Sequence, residues 1–507
     1  MGETKATFCR ICEAGCGLRV TLEDDRSAVA EIRPDPEHPS SQGYACVKGV
    51  RFRDVHNSPD RVRHPMKRTA AGWRRIPWEQ ALAEIGARVQ AIRGAHGGDA
   101  LAMYIGNPAA FSLPHSLGIY GFMRGLGSRN LYSSGSQDCN NKLLVARRMY
   151  GAPALQPVPD VARAGCLICL GTNPAVSHAS FIHLPRPLEQ LKALTRRGGA
   201  LWHVNPRRTE TARAVGEHVF IRPGTDVFLL LSLLHELVGA GGVDRERVAR
   251  YMRGWDELAA LAEPWTPART AAVTGVAPEV TRAMARDYLQ ATRDGRGAAL
   301  YCSTGVNQGG QGTLAFWLLN VINAVSGNLD RAGGVLVPRG LLDLPRQLRR
   351  LGIGVRSDRS RIGGFEAIMD TFPAGVLADE IETAGPGQPR AMFVSAGNPL
   401  LSCADEPRLR AALERLELLV SVDMFRNETA ELAHYVLPAT SFLERPDLPL
   451  SSQGFSPELC VQLTEAVAEV DGEQRDEWWI YNALARACDV RLFGSRLIGA
   501  GLGLASR

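Results

Sequence analysis

Four of the eleven cysteines stand in the first tenth of the 507-residue chain: Cys9, Cys12 and Cys16, then Cys46, spaced C-x2-C-x3-C-x29-C. Three thiolates so close in sequence can wrap three corners of an iron–sulfur cube, and a distant fourth closes it. Structural zinc more often uses two paired C-x2-C knuckles, and the second pair is missing here. Spacing alone favours a [4Fe-4S] cluster, with zinc and unligated thiols as the alternatives. Gly15, Gly17 and Gly43 suit tight turns that aim backbone N–H groups at cluster sulfurs. Lys48, two residues past the last candidate ligand, is either a solvated lysine or a cation that tunes the cluster and lies on an electron path.

The elements that carry the remaining chemistry begin near residue 75. Short apolar runs at Leu101–Ile105, Cys166–Leu170, Leu201–Val204, Ala298–Tyr301, Met392–Ser395 and Leu418–Val422 end in small or polar residues and alternate with helical stretches. Such alternation predicts an α/β fold with parallel sheets covered on both faces, and ligands at the carboxyl ends of the strands. Thr225 reads as the N-cap of an apolar helix closed by Gly239. Cys166 and Cys169, inside one apolar run, read as buried core thiols.

Two stretches repeat one scheme. Gly171-Thr172-Asn173-Pro174 follows a strand, and Arg208-Thr209-Glu210-Thr211-Ala212 follows the next. Gly397-Asn398-Pro399 and Arg426-Asn427-Glu428-Thr429-Ala430 repeat the order. A duplicated α/β unit predicts two similar ligand groups. Glycine and asparagine turns at strand ends can approach phosphates closely, and a nearby carboxylate can accept hydrogen bonds from a ribose or a guanine edge. The alternative is that both are merely tight turns.

Composition bounds the rest. With 45% hydrophobic and 22% charged residues and a net charge of +5, the chain is an ordinary globular protein with no basic tail, which argues against a nucleic-acid binder. Its longest apolar runs fall short of the ~20 residues of a membrane span. The first sixteen residues lack a signal-peptide core, which predicts a cytoplasmic protein. Eleven cysteines are too sparse for a disulfide scaffold.

The cysteine cluster with Cys46-Val47-Lys48-Gly49, the two Asn-Pro turns, Asn205-Pro206-Arg207-Arg208, Arg222-Pro223-Gly224-Thr225-Asp226, Gly305-Val306-Asn307-Gln308 and Ser326-Gly327-Asn328-Leu329-Asp330-Arg331-Ala332-Gly333-Gly334 together resemble the catalytic subunits of the molybdopterin oxidoreductases. That superfamily includes formate dehydrogenases, nitrate reductases and dimethyl sulfoxide reductase. The resemblance runs in order from about residue 8 to residue 485. It implies a [4Fe-4S] cluster on Cys9, Cys12, Cys16 and Cys46. It also implies one molybdenum or tungsten ion between two molybdopterin guanine dinucleotides, and two-electron oxidation or reduction of a small, anionic substrate.

By resemblance, Gly171, Asn173, Asn205, Arg207, Thr209, Gly224 and Asp226 serve one dinucleotide, with Arg208 a further pyrophosphate cation. Gly305, Gln308, Gly397, Asn398, Asp423, Glu428 and Thr429 serve the other or the pterins. Cys139 takes the place of the metal ligand, before a helix and twelve residues ahead of Gly151. A thiolate at a helix N-terminus is stabilised by unpaired N–H groups. Arg339 would hold the anion, Lys48 would bridge pterin and cluster, and Asp138 and Asn140 would flank the substrate. Asn140 replaces the histidine usual in formate dehydrogenases.

The implied organisation is a cluster domain over 1–65 and two interleaved, doubly wound α/β domains, one over 66–130 and 340–507 and one over 131–339. Relatives normally continue for about one further domain of ~150 residues. The expectation is therefore a second chain that supplies it, a truncated chain or an open site. An external electron donor or acceptor is the implied protein partner. Two other readings remain at this point: a non-redox hydratase on the same cofactor, and a non-catalytic electron-transfer subunit.

Overall fold

In the computed structural model the chain separates into two compact units, one formed by 1–137, 346–452 and 460–507, the other by 138–345 and 453–459. The structure describes residues 2–25, 28–179, 182–448, 450 and 460–495. The first unit thus contains both the cysteine-rich segment and an α/β body.

The amino-terminal segment is an antiparallel meander of Thr4–Phe8, Gly17–Leu22 and Val29–Pro34. Phe8 pairs with Gly17, so residues 9–16 form the hairpin loop, closed by Cys9 N–H donating to Cys16 O at 2.8 Å. Leu18, Val20, Leu22 and Val29 are buried beneath it. Alternation of apolar and polar residues along Gly17–Leu22 gives the meander one wet and one dry face.

The body of the first unit is an eight-stranded sheet in the order Phe372–Pro373, Asn130–Ser133, Leu101–Ile105, Ala391–Ser395, Leu418–Asp423, Tyr435–Pro438, Met66–Thr69, Gly72–Arg75. The first six are parallel and the last two antiparallel. Connections leave Leu101–Ile105 toward one edge and Ala391–Ser395 toward the other, so the topological switch point lies between these two strands. The second unit has a four-stranded parallel sheet, Glu217–Phe220, Ala200–Asn205, Cys166–Leu170, Ala298–Cys302, whose switch point lies between the last two. Ligands in open α/β sheets bind outside the carboxyl ends of strands at such points.

The strands Cys166–Leu170, Ala298–Cys302 and Ala391–Ser395 are buried along their whole length, as continuous apolar runs in a covered parallel sheet require. Cys166, Cys169 and Cys302 are core thiols within them. On the outer side of Ala298–Cys302, the Asn323 side chain imitates a missing strand: its Oδ1 accepts from Leu300 N–H at 2.9 Å and its Nδ2 donates to Leu300 O at 3.0 Å. The apolar helix Asp226–Gly239 ends where the sequence places its end. Thr225 occupies the N-cap position without capping it, because its hydroxyl donates back to Arg222 O at 2.7 Å. Among the described residues no helix is long and apolar enough to cross a membrane.

Candidate functional site

The hairpin loop gathers Cys9, Cys12 and Cys16. Cys46 joins them from the start of the short helix Val47–Val50. All four thiols are free and act on one another electrostatically. Burial pushes Cys9 well above the usual thiol range, and Cys12 and Cys16 up to about 12. The Ile11 and Ala14 N–H groups, bonded to Cys9 and Cys12, oppose this only partly. Thiols so placed stay protonated at neutral pH until a metal centre displaces the protons.

Thiolates on one zinc ion stand about 3.8 Å apart, given Zn–S bonds of about 2.3 Å. Among the described residues no three His, Cys, Asp or Glu close in tightly enough to hold one ion. Four thiols that act on one another are the donor set an iron–sulfur cube takes, so these residues fit the cluster. Gly15 and Gly43 adopt positive φ, whereas Gly17 is required for space, since a Cβ there would collide with the His38 ring. A side chain on Gly49 would reach Cys9 Sγ at 3.4 Å. Lys48 is exposed, and its charge lowers the pKa of Cys12.

At the switch point of the second unit, Gly171 has φ +59° and lies against the backbone of the neighbouring loop: a Cβ on it would stand 2.6 Å from Val306 N, and one on Gly305 2.8 Å from Gly171 Cα. Gly305 therefore lines the same crevice as Gly171, not that of Gly397, which is in the other unit, and Gln308 follows it as the exposed C-cap of the short helix Thr304–Asn307. Asn173 Nδ2 donates to Glu210 Oε2 at 2.6 Å, and Asn173 Oδ1 accepts from Thr211 Oγ1 at 2.7 Å. The same brace recurs in the first unit. There Asn398 Nδ2 donates to Glu428 Oε2 at 2.6 Å, and Asn398 Oδ1 accepts from Thr429 Oγ1 at 2.7 Å.

The brace consumes the asparagine amides, leaving backbone N–H groups and the glutamates to face a ligand. Thr211, not Thr209, is the counterpart of Thr429. Thr209 is buried and caps the helix Glu210–Ala214 by accepting from Ala212 N–H at 3.2 Å, as Asn427 caps Glu428–Leu432. The backbone N–H at the helix start, then Asn173 and Arg207, pull Glu210 down to about 2. Glu428 is lowered in the same way by its helix start and Asn398.

Arg207 and Arg208 are exposed, Arg207 pairing with Glu210 at 3.2 Å. Asn205, at the end of its strand, is buried with Nδ2 3.4 Å from Thr172 O. Gly224 is an exposed turn at φ +76°. Asp226 and Asp423 are both raised to about 6 by burial; backbone N–H groups oppose the shift in each, joined at Asp423 by Asn427.

A second Gly-Asn-Pro, Gly106-Asn107-Pro108, ends Leu101–Ile105 and faces Gly397 across the switch point of the first unit. A Cβ on Gly106 would overlap the Ala396 carbonyl, and Ala396 itself takes φ +48°. Asn107 Nδ2 donates at 3.0 Å to Ile11 O in the cysteine loop. Sequence reading passed over this turn, although its tripeptide repeats Gly397-Asn398-Pro399.

Cys139 is half-buried between the helices Gly135–Asp138 and Asn140–Tyr150 and holds the N-cap position of the second. Burial raises Asp138; a hydrogen bond with the Cys139 side chain and the charge of Lys142 work against that shift. One turn on, the buried Lys142 Nζ donates to Cys302 O at 2.9 Å and lies over the Tyr301 and Phe316 rings, 5.0 and 5.5 Å from their centroids. Asn141 Nδ2 donates to Asn307 Oδ1 at 3.0 Å. These two side chains tie the Cys139 helix to the switch point of the second unit. Asn140 begins that helix. Arg339 is exposed, in the loop after Val335–Leu336.

Comparison with known proteins gives a consistent result. The model of the molybdopterin oxidoreductase family matches residues 61–487, and that of the molybdopterin oxidoreductase Fe4S4 domain matches residues 3–58. The alpha subunit of the F420-dependent formate dehydrogenase of Methanocaldococcus jannaschii is 24% identical over 94% of this chain and 69% of its own. Acetylene hydratase of Syntrophotalea acetylenica is 25% identical over 96% and 69%. The molybdopterin-containing subunit of thiosulfate reductase of Salmonella typhimurium is 25% identical over 95% and 64%. The chain thus spans about two thirds of the length of these relatives. Among solved structures, acetylene hydratase from Pelobacter acetylenicus superposes with a TM-score of 0.80 at 23% identity, over 96% of this chain and 69% of that one, a likeness of fold.

Proposed function

The chain belongs to the molybdopterin oxidoreductase family, whose cofactors are a [4Fe-4S] cluster and a molybdenum or tungsten molybdopterin, and on that premise we propose that it moves two electrons between a small, anionic substrate and an external electron carrier. The observation that carries this reading is the Asn-Glu-Thr brace, built identically at two switch points. Two like cradles suit two like dinucleotides. When bound, the metal centre supplies the two-electron chemistry and the cluster passes electrons singly.

The protein's own part is holding and aiming. Cys9, Cys12, Cys16 and Cys46 would hold the cluster, and Cys139 the metal. Glu210 and Glu428 stay ionised at any physiological pH, so they can accept hydrogen bonds from ribose hydroxyls or a guanine edge. Backbone N–H groups after Gly171, Gly305 and Gly397 would meet phosphates, with Gln308 and Gly224 beside them. Arg207 and Arg208 would neutralise pyrophosphate, and Arg339 would orient an anion such as formate or nitrate. Lys48 would lie between pterin and cluster, and Asp138 and Asn140 would flank the substrate.

The matching acetylene hydratase favours one alternative, a non-redox hydration on the same cofactor. Anaerobically prepared protein assayed against formate, nitrate and sulfur oxyanions with a viologen dye separates the two. Dye-coupled turnover is expected; turnover that needs no electron acceptor would replace this reading with the hydratase.

A further inference from the structure

A line of buried side chains runs through the first unit from the switch point to the cysteine loop. At one end Ser395, on the last residue of its strand, shares a 2.7 Å hydrogen bond with His115 Nε2. His115 Nδ1 lies 3.4 Å from Glu477 Oε1. Glu477 Oε2 pairs with Arg445 Nη1, and Arg445 feels the charge of Asp447. Asp447 Oδ2 stands 3.6 Å from Arg10 Nε. Arg10 sits between Cys9 and Cys12, stacks on the Phe8 ring at 4.9 Å, and interacts electrostatically with Cys9. All six side chains are buried.

Two features separate this line from an ordinary structural lock. First, Arg10 is only partly compensated, by one ion-pair contact with Asp447. Its Nη1 donates to the carbonyls of Phe442 and Arg445 at 2.6 and 3.2 Å, but Nε and Nη2 have no hydrogen-bond partner among the described residues, and Asp447 stays beyond hydrogen-bond reach. The neighbouring Arg61, by contrast, grips Glu444 with two bonds of 2.9 and 2.6 Å. Second, the charges alternate along the line: positive at Arg10, negative at Asp447, positive at Arg445, negative at Glu477. A guanidinium stays charged at any working pH. In a buried setting its field is far less screened than that of a surface cation.

We propose that this line poises the reduction potential of the cluster, with Arg10 as the positioning charge that stabilises the reduced state and Asp447, Arg445 and Glu477 as successively weaker corrections of alternating sign. The inference rests on the cluster reading above. A cluster that gains an electron gains one negative charge, so each neighbouring positive charge favours reduction and each negative one opposes it.

The test is an EPR-monitored titration of the full chain with dithionite as reductant, cluster content being checked by iron and sulfide analysis. Arg10→Met should lower the midpoint potential, and Asp447→Asn should raise it. Arg445→Met should lower it by less, Glu477→Gln should raise it by less again, and Arg10→Lys should stay near the unaltered protein. A tenfold change in the one-electron equilibrium reads as about 59 mV. A merely structural role would move these variants in one direction or not at all, and either result with the cluster intact would overturn the proposal. If Arg10→Met does not assemble a cluster, the opposite sign required of Asp447→Asn decides. Unaltered protein that takes up no iron would overturn the cluster reading itself.

Discussion

The two crevices share a brace to within a tenth of an ångström, yet they are attached to different things. In the second unit the crevice around Gly171 and Gly305 is tied through Lys142 and Asn141 to the helix that begins after Cys139. In the first, the crevice around Gly106 and Gly397 is tied through Asn107 to the cysteine loop. The strand-end residues differ as well: a neutral amide at Asn205, a half-buried carboxyl at Asp423. The part that would grip a common ligand group is the same in both, while the anchors differ, one reaching the proposed metal ligand and one the cysteine loop.

The largest effect expected of that division is a double dissociation. Cys139→Ala should abolish turnover, by about a thousandfold or more if the metal is lost from catalysis, while the EPR signal of the cluster persists. Cys12→Ala should remove the cluster signal, while the dinucleotide content falls little. Loss of both signals in both variants would show that the two attachments are not separate.

A smaller effect distinguishes the crevices by their glycines. Gly106→Ala drives a methyl group into the Ala396 carbonyl, while Gly305→Ala meets Gly171 Cα at 2.8 Å. Calorimetry should show Gly106→Ala costing about 3 kcal/mol, the upper end for overpacking, and Gly305→Ala costing less. The reverse order would mean that the loop of the first unit yields more easily than its geometry indicates.

Asp423 gives the next effect. Its pKa of about 6 lies above the ordinary carboxyl value of 3.8, so between these limits the native state binds more protons than the unfolded state. Stability of the ligand-free chain should therefore fall as pH rises from about 4 to 6 and level off above, with about 1–3 kcal/mol lost in all. Asp423→Asn should flatten that slope and raise the melting temperature at pH 7.5. A variant with the same slope as the unaltered chain would place the titration elsewhere. The smallest effect compares the two helix caps: Thr209→Ala and Asn427→Ala should each cost about 1 kcal/mol by thermal melting, and a markedly unequal pair would end the equivalence of the two repeats.

Much of this was legible in the sequence because the relevant signals are local. The cysteine spacing, the uninterrupted apolar runs of buried parallel strands and the repeated Gly, Asn-Pro and Glu-Thr-Ala segments all speak within a few residues. What escaped depends on tertiary geometry. Thr209 and Thr211 are equally polar on paper, and only the helix start makes one a cap and the other part of the brace. Gly305 stands out with its Val-Asn-Gln motif, but only strand order sets it against Gly171 rather than Gly397. Gly106-Asn107-Pro108 did carry a readable signal, but no Glu-Thr-Ala segment follows it at the next strand. Arg10 lay unnoticed between two cysteines, because a buried ion line assembled from residues hundreds of positions apart leaves no pattern in sequence.

Acid release followed by nucleotide and metal quantification on the loaded protein asks whether one chain holds two guanine dinucleotides for a single heavy metal beside one cluster. About two GMP, about one molybdenum or tungsten and about four irons per chain are expected. A single GMP per chain, or iron without either heavy metal, would contradict that stoichiometry.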